Sequence, residues 1–220
     1  MIWQMRWMTR YLGFIARPFI KWYASQEIIA CGLRSPAGQF NIIFTKTNNK
    51  KNYKFFKKIK RHWQEVDSLE NQDFSYKLMF QEIIPYAEIS EIYKVKAKKT
   101  GGKRIYSSPK ILIKKKTDYK NDLLTIEKLG NGQAKISWPE AEKYKPMIYF
   151  LAIEDSKDHG ICGIYTRENN WLYPQTKKAS LSINKQDPPL FKQGQEYSCK
   201  LVAVDYDGWV PCVATIRFTY

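Results

Sequence analysis

Lys54, Lys57, Lys58 and Lys60 lie close together, with Lys50 and Lys51 before them and Tyr53, Phe55 and Phe56 interleaved. A strand through this stretch would carry a high positive potential and would gain by releasing counterions from a polyanion. Nucleic acid, anionic lipid headgroups and acidic wall polymers share the chemistry such a strand would meet. Flat rings are a second resource. Trp171 and Tyr173 fall in a polar stretch, and Trp209 follows the turn at Asp207 and Gly208. From such places an exposed ring can stack on a sugar or a base. These four lysines and three rings are the candidate binding residues, and solvent exposure of the rings is the expectation on which their part rests; a solvated Lys-rich surface and rings that cap the core of a sandwich are the structural alternatives.

Patterns that would support a reaction are scarce. The chain has no Gly-x-Ser-x-Gly elbow, no dinucleotide fingerprint, no phosphate-cradling loop ending in Gly-Lys-Ser/Thr and no His-Glu-x-x-His. His62 and His159 stand alone, and Cys31, Cys162, Cys199 and Cys212 match no zinc-site spacing. No metal or cofactor is expected. Carboxylates pair as Glu154 with Asp155 and as Asp205 with Asp207. A glycosidase would hold two acids about 5–10 Å apart, and calcium would need more oxygen ligands than are evident here. Both pairs fall at expected strand ends, where Asp commonly bonds turn backbone, so a non-enzymatic chain is expected. Cys199 alternates with Tyr197, Leu201 and Ala203, which predicts a buried thiol acting as a small core residue.

The elements that must carry these residues are strands. Apolar residues make up 44% of the chain and aromatics 15%, enough for a packed core and too much for a disordered polymer. The net charge of +16 is unevenly placed: residues 1–115 hold 23 basic and 8 acidic side chains, and residues 116–220 hold 14 and 13. Two regions with different surfaces follow from this. Residues 1–24 carry Arg6, Arg10, Arg17 and Lys21 among seven aromatics and no acid. Their apolar centre, 11–20, is broken by Arg17 and Pro18 and is too short to cross a bilayer that needs about 20 apolar residues, so no membrane span is expected. Ile28, Ile29, Ala30 and Cys31 resemble a bacterial lipobox, but Ser25, Gln26 and Glu27 stand where its apolar region would be. A first strand, a mis-assigned start, or a targeting, anchoring or interfacial role for 1–24 are the other readings.

From residue 40 onward the period is two. Residues 40–45 read as a strand, 48–50 as a turn and 52–60 as its hairpin partner, with Tyr53, Phe55, Lys57 and Ile59 on one face; 63–78 read as a short helix or a long loop. Tyr93, Val95 and Ala97 point inward and Lys94, Lys96 and Lys98 outward, before a hairpin turn at 100–103. After a basic connector at 114–118, strands are expected at 123–129 and 134–138, the latter placing Ala134, Ile136 and Trp138 inward. Residues 147–153 are apolar throughout and suit a central strand covered on both faces. Strands at 161–166, 179–183, 197–204 and 212–218 complete seven in this half, the number expected of an immunoglobulin-like sandwich.

Within residues 191–208, Phe191 is followed three positions later by Gly194 and three beyond that by Tyr197, then by alternation to Ala203 and the turn at Gly208. This pattern resembles the E–F corner and F strand of fibronectin type III domains. The resemblance covers about 110–220, with Phe191 in place of the usual Leu and a long insert at 169–176. It implies that Tyr197 is the corner tyrosine, its ring between the sheets and its hydroxyl on backbone, and that Trp138 is the buried B-strand tryptophan. A weaker copy lies earlier, with 40–60 resembling the C/C′ hairpin, 92–97 the F strand and 106–109 the G strand, and with Glu91 at the place of the corner tyrosine. Two tandem fibronectin type III β-sandwiches, 25–113 and 114–220, are the implied all-β fold. A non-enzymatic binding or spacer module at the cell surface or outside the cell, contacting polysaccharide or protein, is the implied function. Nucleic-acid binding through the Lys-rich first half is the alternative.

Overall fold

The computed structural model describes residues 28–44, 50–76, 79–114, 116–139, 146–176, 181–182 and 188–220. The N-terminal segment 1–24, the turn at 48–49 and parts of the expected strand at 179–183 lie outside the described residues. The regular structure of the described residues is entirely β. In the first half the strands are β1 (Ala30–Arg34), β2 (Phe40–Phe44), β3 (Lys50–Ile59), β4 (His62–Val66), β5 (Leu69–Tyr76), β6 (Met79–Ile83), β7 (Ile92–Lys99), β8 (Ile105–Ser107) and β9 (Ile111–Leu112). They form one sheet in the order β1-β2-β6-β5 and a second in the order β4-β3-β7-β8, with β9 also on β7.

The second half holds β10 (Asp118–Lys120), β11 (Thr125–Gly130), β12 (Gln133–Ser137), β13 (Ile148–Asp155), β14 (Gly160–Thr166), β15 (Asn170–Tyr173), β16 (Leu181–Ser182), β17 (Glu196–Val204) and β18 (Cys212–Thr219). Its large sheet runs β10-β18-β17-β13-β14-β16 and its small sheet β11-β12-β15. Small against large, they enclose a core of Trp138, Tyr149, Leu151, Ile164, Trp171, Tyr173, Phe191, Tyr197 and Leu201. The result is an immunoglobulin-like sandwich.

The two sandwiches are stacked face to face. Phe40, Ile42 and Phe44 of β2 face Phe55, Tyr93 and Val95 of the β4-β3-β7-β8 sheet. On the other side of the same inner sheet, Cys31, Leu33 and Ile43 pack on Phe150, Ala152, Val202 and Val213 of the large sheet. Four sheets therefore lie in succession, and the inner two are covered on both faces. Their sequences show why: β2 is buried at every position, and β13 at all but its last, as the unbroken apolar run at 147–153 requires. In the outermost basic sheet, alternation keeps Tyr93, Val95 and Ala97 buried and Lys94, Lys96 and Lys98 toward solvent.

Three expectations need correction. The hairpin over 40–60 does not form: β2 pairs with β1 and β6, and β3 pairs with β4 and β7. Phe40, Ile42 and Phe44 need cover on one face and Ile43 on the other, whereas β3 carries lysines that need water, so adjacent segments of chain enter different layers. Of the expected helix or long loop at 63–78, the described residues 63–76 hold β4 and β5, which end their sheets; their polarity is that of edge strands. The supposed insert at 169–176 contains β15, paired with β12 from Ala134↔Tyr173 to Ser137↔Asn170.

Candidate functional site

β15 decides the place of two candidate rings. Trp171 and Tyr173 share the inward face of that strand and are 4% and 0% exposed. The Trp171 Nε1–H donates to the Gln175 carbonyl at 2.8 Å, the Tyr173 hydroxyl donates to the Pro189 carbonyl, and the Tyr173 ring stacks on Phe191 with centroids 4.0 Å apart. Trp209 is 1% exposed. It leaves the β17–β18 turn of the second sandwich and enters the core of the first, where it lies over Phe40. Its Nε1–H donates to the Lys116 carbonyl at 3.0 Å. The expected solvent exposure of these three rings is thus corrected: each is a core side chain, and none offers a face to a sugar.

Around Trp209 the two halves exchange backbone bonds. Gly32 donates to the Gly208 carbonyl at 2.9 Å, Val210 to the Gly32 carbonyl at 2.8 Å, and Leu112 to the Asp207 carbonyl at 2.9 Å. Asp205 organises the turn: its Oδ1 accepts the backbone N–H of Asp207 at 2.9 Å and of Trp209 at 3.0 Å. Lys114 pairs with Asp205 at 2.6 Å and Asp207 at 2.8 Å. Burial pushes its ammonium down, and the two carboxylates outweigh this and raise it. Asp155 likewise accepts the backbone N–H of Lys157 and His159, both at 2.9 Å. The buried Glu154 accepts the Ser198 hydroxyl at 2.9 Å. The acid pairs are turn and core bonds. Among the described residues no group of His, Cys, Asp and Glu is arranged to hold a metal, and all four cysteines are buried thiols.

Of the residues given structural parts, Phe191, Gly194 and Tyr197 lie at the corner of the second sandwich, and Trp138 lies toward the other end of its core. The Tyr197 hydroxyl accepts the Lys192 backbone N–H at 2.9 Å, and Phe191 packs on Tyr197 at 4.6 Å between centroids. Gly194 takes φ +76°. Trp138 is buried edge-on to Tyr149 at 5.2 Å.

The outer face of β4-β3-β7-β8 carries a cluster of lysines. The registers Lys54↔Lys96 and Phe56↔Lys94 place these side chains opposite one another, and Lys58 faces Trp63 across β4. Lys98 faces Ile105 on β8. Strand spacing of about 4.8 Å and alternate-residue spacing of about 6.8 Å make this a planar lattice. Two lysines lie over aromatic rings, Lys94 3.8 Å from the centroid of Trp63 and Lys96 4.2 Å from that of Phe56. Glu65 opposes Phe56 and is held by Lys54 at 2.6 Å. Beside the lattice an open groove of about 500 Å³ is lined by Trp63, Lys94, Lys110, Leu112 and Tyr206, among others. Desolvation first, and then Lys96 and Lys110, hold the Lys94 ammonium below its usual value.

The four candidate lysines divide. Lys54 and Lys58 stand on the outer face, and Lys60 in the β3–β4 turn at φ +52°. Lys57 points the other way and pairs with Glu91. Tyr53 and Phe55 also point inward, toward Phe44. Trp63, Lys110 and Tyr206 join the face unheralded by sequence: Trp63 sits in a polar edge strand, and the other two are brought close only by the packing of the halves.

No family model matches the chain, and no curated protein matches it in sequence. Among solved structures it is similar to a cytokine receptor complex, with 11% identity and a TM-score of 0.29 over 81% of this chain and 90% of that one. It is also similar to the FN1-FN3 domains of chicken CNTN1, with 15% identity and a TM-score of 0.30 over 86% of this chain and 65% of that one. Among the described residues no helix is long and apolar enough to cross a membrane.

Proposed function

We propose that the chain is a non-enzymatic binding module of fibronectin type III kinship, built from units at 25–113 and 114–220, that holds an anionic partner at a cell surface or outside the cell. One observation carries this reading: Lys54, Lys58, Lys94, Lys96 and Lys98 project from a single sheet face on which the one opposing carboxylate, Glu65, is already paired. Contact by charge replaces contact by ring stacking, because Trp171, Tyr173 and Trp209 are core. Binding is favoured over spacing because face-to-face stacking gives a short, thick body rather than a long one. Acidic polysaccharide is the polymer this face would meet in a wall. Phe56 and Trp63 on the same face support the alternative, single-stranded nucleic acid, whose bases stack on aromatic rings.

Retention on immobilised acidic polysaccharide and on immobilised nucleic acid, followed through a salt gradient, tests the reading. Retention that falls steeply with salt, and falls again when Lys54, Lys58 and Lys96 become Gln, is the expected result. Retention unchanged by those substitutions removes the face from the account.

A further inference from the structure

We infer that the partner of the lysine face is the surface of an anionic lipid bilayer, so that the β4-β3-β7-β8 sheet lies flat on headgroups. This rests on the reading of that face as an anion-binding surface and names what it binds. The first support is shape. The lysines occupy two neighbouring strands, Lys54 and Lys58 on β3 and Lys94, Lys96 and Lys98 on β7, and so spread over a plane rather than along one track. An array of headgroups engages both rows at once. The second is the position of the apolar side chains. Trp63 lies on β4 at one edge of the lattice and Ile105, 59% exposed, on β8 at the other. Tryptophan is favoured at the headgroup level, where one part of the ring is wet and another apolar. An exposed isoleucine among lysines gains nothing from a polymer in water but can enter the acyl boundary.

The third is ring availability. Phe56 and Trp63 each have a lysine ammonium over one face, so they steady cations better than they present a row of bare rings to bases. The strands of the lattice present lysine, with arginine only beyond their ends at Arg61 and Arg104. Lysine ammoniums are point charges that attract a diffuse negative surface, whereas phosphates read one by one are better met by the guanidinium fork. Beside the lattice, Lys94 and Lys110 line the groove together with Trp63, Tyr206 and Asp207.

Co-sedimentation of the full chain with vesicles of phosphatidylcholine alone, or with one third phosphatidylserine, tests this. Binding is expected only with phosphatidylserine, with each Lys→Gln on the face lowering it roughly fivefold. Trp63→Ala and Ile105→Ala should both weaken vesicle binding, and Ile105→Ala, which touches none of the groove, should leave retention on inorganic polyphosphate unchanged. The same comparisons are made in a chain with Arg6, Arg10, Arg17 and Lys21 changed to Gln, which separates the face from the N-terminal segment. Loss of all vesicle binding in that chain, with no effect of the face variants, overturns the inference. So does preference for a single-stranded oligonucleotide that strips the protein from vesicles. In both cases salt-sensitive retention on polymers can persist and the anion-binding reading stands. Failure on every polyanion ends both.

Discussion

The rings of Trp209 and Phe40 lie 9° from parallel with centroids 6.2 Å apart, although one comes from a turn of the second sandwich and the other from β2 of the first. The first sandwich therefore completes its core with a residue of the second. Removing the indole opens a hole in the first sandwich and unseats the turn that bonds Gly32.

Trp209→Ala should lower stability by about 3–5 kcal/mol, the usual range for a buried Trp or Phe truncated to Ala. Trp209→Phe keeps most of the packing and loses the bond to the Lys116 carbonyl, at about 1 kcal/mol. Urea unfolding midpoints of the two variants rank them. Equal, small losses would show that the joint does not depend on this ring.

Two glycines in turns should respond differently to alanine. At Gly208, φ is +71° and a Cβ would stand 2.8 Å from the Lys110 carbonyl oxygen; at Gly38, φ is +82° with nothing within 4 Å. Gly38→Ala should cost only the left-handed conformation, about 1–2 kcal/mol. Gly208→Ala adds a backbone clash at the joint and should cost clearly more. Thermal midpoints measured side by side decide this.

Tyr197→Phe leaves the ring in place and removes the acceptor of the Lys192 N–H. A loss of about 1 kcal/mol is expected, read from the chemical-denaturation midpoint at unchanged slope.

Glu91 should impose an acid limit on the first half. Burial pushes its carboxyl up, but the Glu88 backbone N–H, the Lys57 ammonium and the Tyr93 hydroxyl together hold it below the ordinary carboxylate value. The unfolded chain then takes up its proton first. The stabilisation is full above about pH 4.3 and is lost as pH falls through the lower folded value. Glu91→Gln should flatten the acid side of the stability–pH curve, and a curve of unchanged shape would show that the carboxylate is not the group responsible.

Much of the second sandwich is legible in the sequence because its strands announce themselves locally. The alternation around Tyr197 and the apolar run at 147–153 need no partner to be recognised. β15 is hidden because it is only four residues long, opens on Asn170 and is flanked by Asn169 and Gln175, and only pairing with β12 turns Trp171 and Tyr173 inward. Trp209 is misjudged for a different reason: a turn residue looks exposed until a second body covers it. The lysine face is half legible. Period two sends Lys94, Lys96 and Lys98 outward, but the same rule cannot say which side of β3 faces the core, and Lys57 and Lys58 exchange meaning with that choice.

The covered inner layers have a consequence for dissection. The change of charge near Lys115 suggests a place to cut, yet the hydrophobic layer of Leu33, Ile43, Phe150, Val202 and Val213 belongs to both sides of it. An excised second half would turn Phe150, Val202 and Val213 to water, and the excised first half would lose Trp209 from its interior. Neither fragment is a building block that could be shuffled alone into another chain; the inheritable unit is the pair.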